Sequence, residues 1–335
     1  MDPNEFGKES LMNMRNYVLC VDLGGTKTYI ARGKEDGEIE DIRRFTIDFS
    51  DQATVLRQLF ESIDIYLREN CSGFHPARSI GIGLKGYAHR NQGVWKSCTT
   101  IPKFSPVNIT KMVSEKYGIP TVIDNDVRAA TLAELYYGAG KQYKDFIYYN
   151  IGTGIAIGIV SDSKLIRGST FYAGELGHLI TEPDSDLYQG GNGGCLEEIA
   201  SGAAILQQVK WGLAEYPGSG LGPIHESGAL TSHTVFALAE QGDELAGKIT
   251  RRVLKSIQIS VVAITDILNP EAIIFGGGVV ADGLLLPKIK EYVYKYSLRP
   301  SAQALKDICL SSLGADRAGI LGANAIGWED LLKIN

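Results

Sequence analysis

The chain has 335 residues, with 33 Lys+Arg against 39 Asp+Glu for a formal net charge of -6, and 44% of its residues are apolar. That length and apolar share predict about two domains with real cores, which excludes a disordered or fibrous chain. No long basic run breaks the sequence, so nucleic acid is not an expected partner. The five cysteines, Cys20, Cys71, Cys98, Cys195 and Cys309, are widely spaced and form no CxxC. This is the usage of reduced thiols and predicts a cytoplasmic protein. Residues 1–10 lack the apolar centre of a signal peptide. The longest uncharged apolar stretch, Phe146 to Val160, is too short and too interrupted by glycine to cross a membrane.

In chain order, an extension of sixteen residues precedes the apolar run Tyr17–Val21, which reads as a buried strand. It enters the turn Asp22-Leu23-Gly24-Gly25-Thr26-Lys27 and resumes an extended pattern at Tyr29. From Gln52 to Glu69 the apolar residues recur at three and four, the period of an amphipathic helix. Asn108 is a candidate cap for a helix ending at Tyr117 before Gly118. A strand at Thr121–Ile123 leads into a helix from about Asp126 to Tyr137, closed by Gly138. Ile147–Ile151 repeats the opening pattern, with Gly152, Thr153 and Gly154 at its tip and a second extended run to Val160. The helix from about Glu244 to Leu268 stops at Asn269-Pro270, because proline cannot continue it. The strand Ala272–Phe275 then runs into Gly276, Gly277 and Gly278. The echo of one glycine-tipped hairpin in the other predicts a duplicated α/β architecture with a central cleft.

Glycine at a hairpin tip lets main-chain N–H groups face an anion with no Cβ in the way. Each glycine turn alone is also an ordinary tight turn; together, with threonine hydroxyls, a lysine and Asp22 at a strand end, they point to nucleotide phosphates. There is no GxxxxGK[ST], which excludes a P-loop NTPase. Gly81, Gly83 and Gly86 form a GxGxxG, but no apolar helix follows and no acidic residue stands about 20 positions on, so the dinucleotide reading is set aside. Asp124, Asn125 and Asp126 lie where a strand becomes a helix. Capping accounts for one of them, and a surplus carboxylate could serve as a general base. Glu175, His178 and Glu197 are flanked by glycines and offer acceptors and donors for a polyol. A structural histidine and a solvated helix start remain the alternative for that group.

With these residues in view, the chain resembles the ROK family of bacterial sugar kinases and sugar-responsive repressors, which has the actin-like ATPase (ribonuclease H-like) fold. The resemblance rests on DLGGTKT at 22–28, DNDVRAATLAE at 124–134, GTGIAIGIV at 152–160, LIRGSTFYAGELGH at 165–178, GGCLEEIASG at 193–202, FGGGV at 275–279 and GADRAGILGAN at 314–324. It implies an ATP-dependent kinase acting on a hexose or N-acetylhexosamine, usually at the 6-hydroxyl, with Asp126 as catalytic base. Asn125, Glu175, His178, Glu197 and Gly86 then match the sugar site. Gly24, Gly25, Thr26 and Lys27 match the first phosphate loop, Gly152, Thr153 and Gly154 the second, and Gly276, Gly277 and Gly278 the adenosine motif, with Asp22 orienting Mg²⁺.

The resemblance further implies a homodimer and a two-domain division. The N-terminal domain is expected at 17–123, completed by a C-terminal helix at 315–335, and the larger domain at 124–314. Where many relatives carry zinc ligands, this chain has Tyr188 and Gly190 beside the retained His178 and Cys195, so no structural zinc is expected. Lys85-Gly86 replaces the family's usual Pro-Gly, and Ala156 replaces a common glycine. The alternatives are a sugar-responsive regulator without its helix-turn-helix, for which sixteen residues ahead of the first strand are too few, and an actin-like ATPase with no sugar substrate.

Overall fold

The computed structural model describes residues 16–25, 27–71, 76–185 and 193–332. The chain divides into two compact units, one formed by residues 1–141, 167–172 and 316–335, the other by residues 142–166 and 173–315.

In the first unit, β1 (Val18–Leu23), β2 (Lys27–Gly33) and β3 (Ile39–Thr46) form an antiparallel meander. On the other side of β1, β4 (Ser79–Leu84) and then β7 (Thr121–Asn125) join in parallel, giving the order β3-β2-β1-β4-β7. The short hairpin of β5 (Tyr87–His89) and β6 (Val94–Ser97) follows β4. β1 alternates between two buried faces, as its period of two requires. Leu19, Val21 and Leu23 share a cluster with Val55, Leu59 and Ile63 of helix α1 (Gln52–Asn70), while Val18 and Cys20 pack with Ile320, Ala323 and Trp328 of the C-terminal helix (Ala315–Leu332).

The caps follow the sequence. Asp51 accepts the N–H of Thr54 at the start of α1, and Asn108 accepts that of Lys111 at the start of α2 (Ile109–Tyr117), which stops at Gly118 with φ +67°.

The second unit repeats the plan. β8 (Phe146–Ile151), β9 (Ile155–Ser161) and β10 (Lys164–Ile166) form a meander, and β11 (Ala272–Gly276) and β12 (Asp307–Leu310) add in parallel for the order β10-β9-β8-β11-β12. The helix Glu244–Leu268 is capped by Asp243 and ends at Asn269, φ +45°. It buries Ile257 and Val261 with Tyr149 and Phe275 of the sheet, and Ser260 Oγ lies 2.6 Å from the Tyr149 hydroxyl.

One expectation is corrected. The division drawn at 123/124 falls at 141/142 instead. β7 pairs with β4 along its whole length, Leu84 opposite Asn125, so the sheet carries helix α3 (Asp126–Tyr137) into the first unit with it. No helix among the described residues is long and apolar enough to cross a membrane.

Candidate active site

In the first unit the candidate residues gather at the carboxyl ends of β1, β4 and β7, the edge where open α/β sheets bind ligands. Asn125, the last residue of β7, is the N-cap of α3. Its Oδ1 accepts the N–H groups of Val127 (2.9 Å) and Arg128 (3.2 Å). Its Nδ2 donates to the Gly86 carbonyl (2.9 Å) and to Asp126 Oδ1 (2.8 Å). Asn125, expected as a sugar ligand, therefore has both amide hydrogens committed to orienting Asp126 and holding the β4–β5 turn. Gly86 sits at φ +93°, and a Cβ there would stand 2.2 Å from the Ser97 carbonyl oxygen, so glycine is required on both counts.

Asp126 Oδ1 also accepts the Val127 N–H at 2.9 Å. Burial pushes its carboxyl above the ordinary carboxylate range, against the opposing pull of the Val127 N–H and of Lys85 and Arg128. Asp22, at the end of β1, is pushed up to about 7 by burial and by the charge of Asp126, with Lys27 opposing. Its carboxylate lies against Gly319 of the C-terminal helix. A buried carboxylate raised by a like-charged neighbour is one that a divalent cation stabilises, so Asp22 fits the Mg²⁺ role.

Asp124 has a separate part, missed in the sequence. It is fully buried and accepts from Arg128 Nε at 2.6 Å, Arg167 Nε at 2.9 Å and the Asn125 N–H at 2.9 Å, with Arg90 at 3.9 Å. Burial alone would raise this carboxyl, but the Arg128, Arg167 and Arg90 guanidinium groups outweigh it and hold it below its ordinary value. Glu329 joins Arg167 (2.8 Å) and Arg90 (3.1 Å) from the far end of the sequence. Arg128 further donates to the carbonyls of Phe171 and Ala88. Only the spacing of four between Asp124 and Arg128 could have signalled this in the sequence.

Of the first glycine turn, Gly24 donates its N–H to the Lys27 carbonyl at 3.0 Å. Lys27, expected in the phosphate loop, has its ammonium 5.1 Å from the centre of the Tyr29 ring. The side chain that crosses this turn is Lys85, whose Nζ lies 3.1 Å from where a Cβ on Gly25 would stand. Thr26 lies outside the described residues.

The second unit brings its own candidates together. The N–H of Gly152 donates to the Gly154 carbonyl at 3.0 Å, with Thr153 exposed at the tip. Glu197 Oε2 accepts the Ile155 N–H at 2.6 Å, so this expected sugar ligand also anchors the second turn. Glu175 and His178 share one short turn, in which the Glu175 carbonyl accepts the His178 N–H at 3.2 Å. Gly177 between them packs on the Ile155 carbonyl and the Glu197 Cβ, which places Glu175, His178 and Glu197 around the second glycine turn.

At the end of β11, next to β8, Gly277 has φ +91°, and a Cβ there would meet the Ile151 carbonyl oxygen at 2.3 Å. Gly278 beside it faces open space. Tyr188 and Gly190, on which the zinc expectation rests, lie outside the described residues. Among the described residues no group of three or more His, Cys, Asp or Glu side chains is arranged to hold a metal.

Two sheets of the same strand order, each opened by a glycine-tipped hairpin with candidate polar residues at its carboxyl edge, define the actin-like ATPase fold. The ROK family model matches residues 18–329, and the chain belongs to the ROK family. It is 32% identical over 313 residues to a glucokinase of Thermotoga maritima, covering 92% of this chain and 96% of that one. Among solved structures it is similar to a ROK family glucokinase of Streptomyces griseus in complex with glucose and AMPPNP, at 25% identity and a TM-score of 0.75, covering 93% and 99% of the two chains. It is also similar to a ROK family transcriptional regulator described as a homologue of the E. coli MLC protein, at 28% identity and a TM-score of 0.83, covering 94% of this chain and 78% of that one.

Proposed function

We propose that this chain is an ATP-dependent sugar kinase that phosphorylates a hexose or N-acetylhexosamine at its 6-hydroxyl. The observation that carries the reading is Asp126, a carboxylate raised by burial, oriented by Asn125 Nδ2 and placed at the same sheet edge as the first glycine turn. A base with a raised pKa accepts a proton from a hydroxyl more readily than an ordinary carboxylate does.

In this reading Asp126 takes the proton of the sugar hydroxyl as that oxygen attacks the γ-phosphorus in line, and ADP leaves. Glu175, His178 and Glu197 bind sugar hydroxyls. The main-chain groups of Gly24, Gly25, Gly152, Thr153 and Gly154 face the phosphates, and adenosine lies against the Gly276, Gly277 and Gly278 turn, where Gly276 and Gly277 pack on Tyr148 and Ile151 and Gly278 faces open space. Asp22 would hold hydrated Mg²⁺, which neutralises phosphate charge when bound. Catalysis then consists of positioning and charge stabilisation.

The similarity to a transcriptional regulator supports a second reading, sugar binding without phosphoryl transfer. Coupled ADP release measured with glucose, mannose, fructose, N-acetylglucosamine and N-acetylmannosamine separates the two. Sugar-stimulated turnover supports the kinase, and its absence with all five sugars, with sugar binding retained, supports the regulator.

A further inference from the structure

Lys85 stands where the resemblance to ROK kinases calls for an uncharged proline, and its side chain is directed at the nucleotide end of the first unit. Its stem is fixed. The Lys85 N–H donates to the Leu23 carbonyl at 3.2 Å, and the Lys85 carbonyl accepts the indole N–H of the buried Trp95 at 3.0 Å. From that anchor the side chain extends across Gly25, with Cδ at 3.5 Å, Cε at 3.9 Å and Nζ at 3.1 Å from where a Cβ of residue 25 would be. A hairpin tip of two glycines thus has an ammonium laid over it, supplied by the next strand of the sheet. The turn's own lysine, Lys27, lies over the Tyr29 ring, and its charge acts on Asp22.

We propose that Lys85 binds the γ-phosphate of ATP and neutralises charge on the phosphoryl group during transfer, a role that rests on the kinase reading above. Two carboxylates, Asp22 and Asp126, stand at the same sheet edge and oppose the approach of a triphosphate, so a cation there has a clear electrostatic task. The Lys85 charge also acts on Asp126 and lowers its carboxyl. Lys85 is therefore within electrostatic reach of both the base that receives the proton and the turn expected to hold the phosphates. A preorganised cation at developing phosphoryl charge stabilises the transition state more than the ground state. The step itself remains the simple transfer: the sugar oxygen bonds to the γ-phosphorus, the bond to the β,γ-bridging oxygen breaks, and the proton passes to Asp126.

Calorimetric binding of ADP and of AMPPNP to the wild type, Lys85→Met and Lys85→Arg tests the assignment, with turnover measured alongside. Lys85→Met is expected to weaken AMPPNP by about tenfold or more, the loss of one charge-assisted hydrogen bond, while ADP affinity is unchanged. Its kcat is expected to fall by about 10²–10³ with the KM for sugar unchanged, and Lys85→Arg is expected to recover most of both losses. Equal AMPPNP affinity in wild type and Lys85→Met, or an equal loss for ADP, overturns the proposal. So does a variant whose only change is a shifted acid limb of the pH profile, which would confine Lys85 to tuning Asp126. A wild type that binds AMPPNP but shows no sugar-stimulated turnover defeats the kinase reading, and the difference between AMPPNP and ADP still decides the role of Lys85.

Discussion

Replacing Asp124 with alanine tests the arginine network beneath the candidate base. Asp124 accepts the Arg128 and Arg167 Nε–H groups and the Asn125 N–H, and it is fully buried. Three hydrogen bonds to a charged group at about 1.5–3 kcal/mol each would sum to more than the variant loses, because the donors keep other partners. Arg128 retains the Phe171 and Ala88 carbonyls, and Arg167 and Arg90 retain Glu329. The expected cost is thus that of one broken buried pair, about 3–5 kcal/mol, with Asp124→Asn losing less because it keeps an acceptor.

The sign with pH follows from the arginines holding the Asp124 carboxyl below its ordinary value in the fold. Its contribution is complete above the unfolded pKa of about 3.9 and is lost as pH falls through the lower folded value. Urea denaturation at pH 7 and again in acid measures both effects. A penalty for Asp124→Ala below about 1 kcal/mol at pH 7, the size expected of an exposed ion pair, would mean that the buried arginine network does not depend on Asp124.

Asn125→Ala removes both the cap of α3 and the hydrogen bond to Asp126. It should cost about 1 kcal/mol of stability and lower kcat, as chemical denaturation and steady-state kinetics would show. Gly277→Ala combines a positive φ with a Cβ 2.3 Å from the Ile151 carbonyl, so nucleotide affinity should fall in calorimetry while sugar affinity holds. Because burial raises the Asp126 carboxyl and the base works deprotonated, turnover should climb with pH through a value above the ordinary carboxylate range. An acid limb near pH 4, the value of an unperturbed carboxylate, would contradict that.

The periodic parts of the fold were legible because they are local. Helix Gln52–Asn70, the Asn108 cap, the Gly118 and Asn269 stops and both glycine-tipped hairpins are dictated by neighbours a few residues apart. The duplication of the α/β plan followed from recognising one hairpin in the other. What escaped the sequence depends on distant partners. Arg90, Arg167 and Glu329 meet Asp124 or each other across 34 to 239 positions, and no spacing rule connects them. The division at 123/124 failed for a related reason, since only the pairing of β7 with β4 shows which sheet owns Asp126. Lys85 was visible as a departure from Pro-Gly, but its reach over Gly25 depends on β4 lying beside β1.

Asp126→Asn probes the base itself, read as sugar-stimulated ADP release together with calorimetric binding of sugar and AMPPNP. The expected loss is about 10²–10⁴ in kcat with both ligands still bound, the contribution of a general base. A variant that turns over at the wild-type rate would contradict it.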